Sequence, residues 1–300
     1  MTTHDVIIIG GGPAGLQAAM SFGRIHRDVV VLDSGSYRND RADAMHNVIG
    51  HDGDTPEEFR AAARKDISAY STVELRDTAA LDVAGDGSGF VVRTADDELT
   101  ARHLLLATGM RDELLPVPGL DELFGTVAAH CPYCHGHEFS GGAVGLLGSG
   151  EHTLRVALLM ERIASSLVVL ANDTEIDPEV RAKLEAHGVA IRPEPVTRLE
   201  RTPAGVRAVL DGGPDEEVGG LMVGTKLTQS APFAEQLGLD LQESGCVAVD
   251  QFGRTSRAGV YAAGDMAHVD GLPGPVSSVL AAAAAGSMAA AAIDGDLIAD

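Results

Sequence analysis

A glycine-rich turn near the amino terminus constrains the fold more than any other feature of this 300-residue sequence. The apolar run at positions 6–9 is followed by Gly10, Gly12 and Gly15, in G-x-G-x-x-G spacing, and then by an alanine-rich helical pattern. In this spacing the first glycine permits a tight turn, the second lets the backbone approach a pyrophosphate, and the third allows close packing of helix on strand. The segment therefore predicts a strand–turn–helix unit whose helix amino terminus faces dinucleotide phosphates.

A carboxylate follows at the position that this type of unit requires. A second apolar run, positions 29–32, ends at Asp33, where an acid commonly hydrogen-bonds a ribose hydroxyl. Strand, glycines, helix, strand and acid in this order indicate a nucleotide-binding domain more specifically than the glycines alone. A glycine turn without a ligand is the alternative.

A second strand–turn–helix pattern carries Gly148 and Gly150, with Thr153 in place of the third glycine. The strand that follows leads into Asp173, with no basic residue before Arg181, whereas a site for the 2′-phosphate of NADP normally offers arginine. We therefore expect a second nucleotide-type domain that binds NADPH poorly. NADH binding and an empty site both stay open.

Between the two glycine turns, the stretch His-Cys-Pro-Tyr-Cys-His-Gly-His places Cys131 and Cys134 among three histidines. Cysteines in this spacing can close a small disulfide ring, and a helix start or a cationic histidine lowers the pKa of the attacking thiol. His130 and His135 flank the pair, and an ordinary histidine pKa of about 6.5 suits them to carry protons. A zinc site, a chance cysteine pair and merely structural histidines are the alternatives, and a structural role is the preferred interpretation of His137.

Charge and hydropathy restrict the partners. A net charge of −22 argues against nucleic acid and anionic membranes, which a like-charged field repels. Ser277, Ser278, Gly286 and Ser287 interrupt the alanine-rich tail, so we expect no membrane span of about 18 residues. The first residues lack the basic region of an export signal, and a cytoplasmic location is expected. In a reducing compartment a C-x-x-C pair is more often catalytic or metal-binding than a permanent disulfide, and Cys246, which has no obvious partner, is expected to be an ordinary buried or semi-buried residue.

Four motifs occur in the order found in the low-molecular-weight thioredoxin reductases, which this chain resembles over nearly its whole length. They are the glycine turn at positions 10–15, Ala-Thr-Gly at 107–109, the cysteine pair and Gly-Val-Tyr-Ala-Ala-Gly-Asp at 259–265. The resemblance implies an α/β fold with two Rossmann-like, three-layer ββα nucleotide-binding domains, the second inserted in the first. Proline-rich and glycine-rich junctions then bound an FAD domain of residues 1–116 and 220–300 and a pyridine-nucleotide-type domain of residues 117–219 that carries the cysteines.

The resemblance also implies FAD as the cofactor, and no metal ligand is predicted. The tail helix is predicted to start near Val276, after Pro273-Gly274-Pro275, and its positive end could stabilise the anionic reduced flavin; a plain packing helix is the alternative. The FAD-binding residues that follow from the motifs are Gly10, Gly12, Pro13, Ala14, Gly15, Asp33, Ala107, Thr108, Gly109, Gly264, Asp265 and Val276.

Three departures from the reductases point to a subgroup. His135 stands where they carry an aspartate acid, the basic residues of the inserted domain are missing, and the tail helix lacks an arginine-containing start. His-Cys-x-x-Cys-His-Gly is similar to the motif of flavin-dependent dithiol oxidases that close disulfides in natural products of the gliotoxin and holomycin type. In that subgroup O2 accepts the electrons and no nicotinamide is needed.

We therefore expect a homodimeric, FAD-dependent dithiol oxidase that forms a disulfide in a small-molecule dithiol and gives H2O2. By the resemblance, Cys131 meets the substrate and Cys134 faces the flavin. The first alternative is a reductase that passes electrons from NAD(P)H or another donor to a thioredoxin-like protein. The second is a non-catalytic, FAD-bound redox sensor.

Overall fold

The chain forms two compact units in a computed structural model that describes residues 3–85 and 89–299. Unit 1 holds the described residues of Met1–Asp40, Pro56–Asp112 and Leu227–Asp300, and unit 2 holds Arg41–Thr55 and Glu113–Lys226. The chain thus passes between the units at 40/41, 55/56, 112/113 and 226/227, whereas the sequence predicts junctions at 116/117 and 219/220. The inclusion of segment 41–55 in unit 2 has no counterpart in the sequence pattern.

The elements follow the order that the sequence predicts for two nucleotide-type folds. The strands of the described residues are β1 (Thr3–Ile9), β2 (Val29–Leu32), β3 (Val73–Arg76), β4 (Asp82–Gly85), β5 (Phe90–Arg93), β6 (Glu98–Leu106), β7 (Met110–Glu113), β8 (Ala128–Ala129), β9 (Ala143–Leu147), β10 (Ser166–Leu170), β11 (Ala190–Arg192), β12 (Val196–Thr202), β13 (Gly205–Leu210), β14 (Glu216–Val218), β15 (Gly220–Val223), β16 (Lys226–Gln229), β17 (Val247–Val249), β18 (Val260–Ala262) and β19 (Ala267–Val269). The helices are α1 (Pro13–Arg24), α2 (Pro56–Ile67), α3 (Leu120–Leu123), α4 (Pro132–His135), α5 (Glu151–Met160), α6 (Pro178–Ala186), α7 (Phe233–Gln236) and α8 (Val279–Ala299), with 3-10 turns at His137–Phe139 and Gly264–Met266. The successions β1–α1–β2 and β9–α5–β10 confirm the predicted α/β class with two Rossmann-like folds.

The sheet of unit 1 gathers the predicted nucleotide motifs at one edge. Its strands run in the order β3-β2-β1-β6-β5-β4, and β18 pairs with β6. Strands β1, β2, β3, β6 and β18 are parallel, and β2 is buried along its whole length, as expected for a sheet covered on both faces. Because parallel strands end at the same edge, Gly10, Asp33, Ala107 and Ala263 come together there: the Ala107 N–H donates to the Ile9 carbonyl oxygen at 2.8 Å.

The sheet of unit 2 leads into the cysteine segment. Its strands are parallel in the order β11-β10-β9-β15-β8, and the antiparallel strands β12, β13 and β14 form a separate three-stranded sheet. The short strand β8 pairs with β15 through Ala128 and Leu221. His130 and the two cysteines follow directly at its carboxyl end.

Helix α8 begins at Val279, so the predicted start near Val276 is wrong. Ser278 caps the helix: its Oγ accepts a hydrogen bond from the Ala281 N–H at 3.1 Å, and its carbonyl oxygen accepts one from the Ala282 N–H at 2.9 Å. Val276 is exposed and precedes the helix, because the serine, not the upstream prolines, sets the first turn.

By length and composition alone, α8 meets the criterion for a helix that crosses a membrane. The polar residues of the tail lead to the opposite expectation. Core helices of globular proteins meet the same criterion, and α8 packs one face on α1, burying Ala282, Ala289 and Ile293 in the core of unit 1.

We predict that Gly286→Ala destabilises the protein, whereas Gly295→Ala in the same helix does not. A Cβ at Gly286 would lie 2.0 Å from the Ala14 carbonyl oxygen, so α1 and α8 would have to separate. We expect a cost of about 1–3 kcal/mol in the free energy of unfolding. A Cβ at Gly295 meets no described atom within 4 Å, and the better helix propensity of alanine should add roughly 0.5–1 kcal/mol. Urea unfolding measures both, and equal effects of the two substitutions would contradict the close α1–α8 contact.

Candidate active site

The glycine turn of unit 1 is held by backbone contacts that leave no room for side chains. Gly10 has φ +120°, and a Cβ there would lie 2.1 Å from the Ala107 carbonyl oxygen. A Cβ at Gly15 would lie 1.9 Å from the Gly10 carbonyl oxygen. These contacts bring the start of α1 and the segment of Ala107, Thr108 and Gly109 together, as the sequence predicts.

Gly12 has a different role, because its missing Cβ leaves space that no described atom uses. It precedes α1, no described side chain caps the helix there, and a Cβ on Gly12 would meet no described atom within 4 Å. Pro13 opens the helix, and Ala14 follows, so the first-turn N–H groups are oriented toward this space. The turn therefore fits the pyrophosphate of a dinucleotide.

Asp33 lies at the edge of this space and is 4 % exposed. Its Oδ1 accepts a hydrogen bond from the Gly35 N–H at 3.0 Å, and its Oδ2 accepts from Tyr37 Oη at 2.5 Å and Arg64 Nη1 at 2.9 Å. A Cβ at Gly11 would lie 2.0 Å from Oδ2, so the carboxylate lies directly over the glycine turn. Three donors leave about one of the four lone-pair sites of the carboxylate for a ribose hydroxyl.

Burial and the hydrogen bond to Asp33 raise the pKa of Tyr37 above its ordinary value, so this hydroxyl remains a donor. The sequence predicts the carboxylate but overlooks Tyr37 and Arg64, since neither lies in a recognised motif.

Arg38 connects Asp265 to Asp112, and the sequence gives no sign of it. Its Nε and Nη2 donate to the Asp112 carboxylate at 2.7 Å and 2.8 Å, and its Nη1 donates to Asp265 Oδ2 at 2.9 Å. Burial opposes the charge of the guanidinium, but the hydrogen bonds to Asp112 and the charge of Asp265 outweigh it and raise the pKa of Arg38. Gly264 has φ +78°, and a Cβ there would lie 3.1 Å from the Ala14 Cβ, so Gly264 and Asp265 lie beside the first turn of α1.

In unit 2, Cys131 and Cys134 form a disulfide with Cα atoms 5.3 Å apart. Cys131 precedes the single turn of α4, and its carbonyl oxygen accepts from the Cys134 N–H at 3.1 Å. Both cysteines are partly exposed, and Tyr133 between them is 64 % exposed. An external thiolate can therefore reach the disulfide. Within the described ranges, no group of three or more His, Cys, Asp or Glu side chains is arranged to hold a metal ion.

The two flanking histidines have different surroundings. His130 is half-buried, and its ring stacks on Phe124 with centroids 5.8 Å apart. His135 ends α4, and its Nδ1 is buried with no hydrogen-bond partner among the described residues. Burial lowers the pKa of His135; the charge of Glu138 opposes this, and His46 lowers the pKa further. At neutral pH His135 is therefore a neutral imidazole with a vacant nitrogen, suited to accept a thiol proton.

His46 reaches this site from segment 41–55. Its Nε2 lies 3.4 Å from Glu138 Oε1, and its Nδ1 lies 3.8 Å from Asp52 Oδ1. The segment is anchored to unit 2 by Arg41, whose Nη1 donates to Asp121 Oδ1 at 2.7 Å. His46 belongs to no motif and lies far from the cysteines in sequence, so only the tertiary structure identifies it.

The second glycine turn adjoins an acidic cavity of about 880 Å³. A Cβ at Gly148, which has φ +143°, would lie 2.8 Å from Thr153 Oγ1, so a buried threonine occupies the position of the third glycine. The excess of carboxylates disfavours the phosphates of a dinucleotide, and the 2′-phosphate of NADPH most of all. The charged lining residues are Glu151, Glu175, Asp177, Glu179, Arg155 and Lys183.

Comparisons with known proteins show which family and which solved folds this chain resembles. The family model for pyridine nucleotide-disulphide oxidoreductases matches residues 4–289. The protein named thioredoxin reductase aclD of Aspergillus oryzae is 35 % identical over 279 residues, which cover 87 % of this chain and 88 % of that protein. A solved oxidoreductase from Agrobacterium tumefaciens has a TM-score of 0.91 and 31 % identity over 99 % of both chains. The crystal structure of HlmI has a TM-score of 0.88 and 31 % identity over 99 % of this chain and 93 % of that one.

We predict that Gly12→Ala prevents dinucleotide binding without disturbing the cofactor-free fold. The backbone of Gly12, with φ −78° and ψ −176°, is open to alanine, but the methyl group would occupy the space for the pyrophosphate. Affinity for FAD, measured by fluorescence titration of the cofactor-free protein, should fall roughly 10²-fold or more. The free energy of unfolding of the same preparation in urea should equal that of the wild type. Gly10→Ala, in contrast, should lower both the FAD affinity and the stability. Unchanged FAD affinity in Gly12→Ala would show that the phosphates lie elsewhere.

Proposed function

Because this chain belongs to the pyridine nucleotide-disulphide oxidoreductase family, as a thioredoxin reductase-like flavoprotein, we propose that it is an FAD-dependent dithiol oxidase. It forms a disulfide in a small-molecule dithiol and uses O2 as the electron acceptor, giving H2O2. The observation that carries the proposal is His135, a neutral imidazole with a vacant, buried nitrogen directly after Cys134. Oxidation of a thiol requires a proton acceptor at this point, and a histidine with a lowered pKa provides one.

The residues of unit 2 perform the thiol chemistry. A substrate S–H gives its proton to His135, or to His130, and the thiolate attacks Cys131. The Cys131–Cys134 bond breaks, a mixed disulfide forms, and the released electron pair remains on Cys134. The second substrate thiol then displaces Cys131, so the product leaves as a disulfide and the enzyme holds two electrons as a dithiol.

The glycine turn, Asp33 and Asp265 of unit 1 would hold FAD, whose pyrophosphate fits the space at Gly12. When bound, FAD supplies the two-electron relay that takes the electrons of the enzyme dithiol to O2. The overall balance is one dithiol and one O2 converted to one disulfide and one H2O2.

The acidic cavity at the second glycine turn supports an oxidase that needs no nicotinamide. The second candidate is a reductase that uses NAD(P)H or another donor to reduce a thioredoxin-like protein, and the names of several relatives favour it. The two functions differ in which compound delivers electrons to the flavin.

We predict that a small dithiol such as dithiothreitol bleaches the flavin absorbance rapidly in anaerobic stopped-flow mixing, and that admission of air restores it with release of H2O2. NADPH and NADH at equal concentration should bleach it at least about 10²-fold more slowly, since the cavity repels their phosphates. Faster bleaching by micromolar NADPH than by the dithiol would place the enzyme among the reductases.

Single substitutions identify the residues that take part in flavin reduction by dithiols. Cys131→Ser and Cys134→Ser should retain FAD but lose reduction by dithiols, and His135→Ala should slow it on the order of 10²-fold. Cys246→Ser serves as the control, because this free, buried cysteine is outside the disulfide. Full activity in Cys131→Ser would disprove the role of the disulfide.

We also propose a homodimer, supported by an apolar stripe on α8. Leu280, Met288 and Ile298 are exposed at helical spacing, and a second copy could cover them. We predict that sedimentation equilibrium gives twice the 31.0 kDa chain mass and that Met288→Glu shifts the protein toward the monomer. A monomeric wild type at micromolar concentration would rule this assembly out.

The net charge of −22 supports the further proposal that nucleic acids and anionic membranes are not partners.

A further inference from the structure

Segment 41–55 holds His46 in a defined position beside the cysteine-bearing turn. The segment closes on itself: the Met45 N–H donates to the Asp54 carbonyl oxygen at 2.8 Å, and the Gly53 N–H donates to that of Met45 at 2.8 Å. The Asn47 N–H donates to Asp52 Oδ1 at 2.7 Å, which fixes the carboxylate on the Nδ1 side of His46. The imidazole is thus held between two carboxylates, Asp52 and Glu138.

Glu138 pairs with His46 and acts on His135 through its charge. It follows His135 by three residues, in the 3-10 turn that continues α4, so the two side chains lie one helical turn apart. Glu138 and His46 are the titratable groups whose charges act on His135, and they act in opposite directions. The Gly125 backbone also raises the pKa of His135, but less than Glu138 does.

We propose that Glu138 and His46 are positioning residues for His135, so that segment 41–55 completes the dithiol site. The Glu138 carboxylate stabilises the imidazolium that forms when His135 takes the thiol proton, and His46 limits this effect by pairing with Glu138. In that step the substrate S–H bond breaks, the proton moves to His135 and the electron pair stays on sulfur. The inference rests on the proposed role of His135 as proton acceptor and adds the groups that set its proton affinity.

The direction in which each substitution moves the titration midpoint of His135 follows from the charges. Glu138→Gln removes a negative charge that favours the imidazolium, so the titration midpoint of His135 should fall by roughly 0.5–1 pH unit. His46→Gln leaves Glu138 unpaired, so the midpoint should rise by a similar amount. Because His46 also pairs with Glu138, part of its effect should be lost in the Glu138→Gln background.

The test is an NMR titration of the FAD-loaded protein carrying ¹³Cε1-labelled histidine. The His135 signal is identified among the 11 histidines by its loss in His135→Gln. Glu138→Asp should retain the wild-type midpoint because it keeps the charge. His187→Gln is the matched control, since it breaks another histidine–carboxylate pair of unit 2, the 3.2 Å contact between His187 and Glu161.

The rate of anaerobic flavin reduction by dithiothreitol, followed against pH, provides the second readout. We expect its apparent pKa to move with the His135 midpoint, downward in Glu138→Gln and upward in His46→Gln. An unmoved His135 midpoint in both variants, or an equal movement in His187→Gln, would overturn the proposal. A moved midpoint without a moved rate profile would overturn the positioning role as well. The NMR result needs no turnover, so it stands apart from the outcome with O2 or NADPH.

Discussion

The backbone contact between Gly10 and Ala107 is the constraint on which unit 1 depends. Strands β1 and β6 pair in parallel, and the turn after β1 passes so close to the Ala107 carbonyl oxygen that a Cβ would lie 2.1 Å from it. Similar contacts follow outward: Gly15 against the Gly10 carbonyl, and Gly286 of α8 against that of Ala14. The sheet, α1 and α8 are thus packed closely on one another, and the space at Gly12 that suits a dinucleotide lies at the start of α1.

The two nucleotide-type folds show how one architecture can support different chemistry. In unit 1 three glycines bring helix and strand together and leave a space at Gly12 that suits phosphates. In unit 2 Thr153 replaces the third glycine, and the neighbouring cavity carries more carboxylates than cations. The fold is shared because the strand–helix–strand packing is the same, whereas the charge of the lining sets which ligand is favoured.

The cysteine turn combines an accessible disulfide with a histidine that burial keeps neutral. Its chemistry is consistent with thiol oxidation because a neutral imidazole takes up a proton where a carboxylic acid would supply one. The surrounding charges adjust this tendency. Burial favours the neutral form of His135, Glu138 favours the protonated form, and His46, some ninety positions away in the sequence, opposes Glu138.

The sequence is sufficient to predict the α/β class, the successions β1–α1–β2 and β9–α5–β10, the nucleotide-type turn and the cysteine pair, because these depend on local periodicity and on the spacing of glycines and cysteines. It also contained the signal for the start of α8, since Ser278 is a good cap residue, although the prolines before it suggested Val276. Other contacts become visible only in the folded chain: Arg38 joins Asp112 to Asp265, Tyr37 and Arg64 hold Asp33, and His46 reaches Glu138. Partners such as Arg38 and Asp265 are separated by long stretches of chain, and ion pairs and hydrogen bonds between distant residues impose no period or spacing on the sequence.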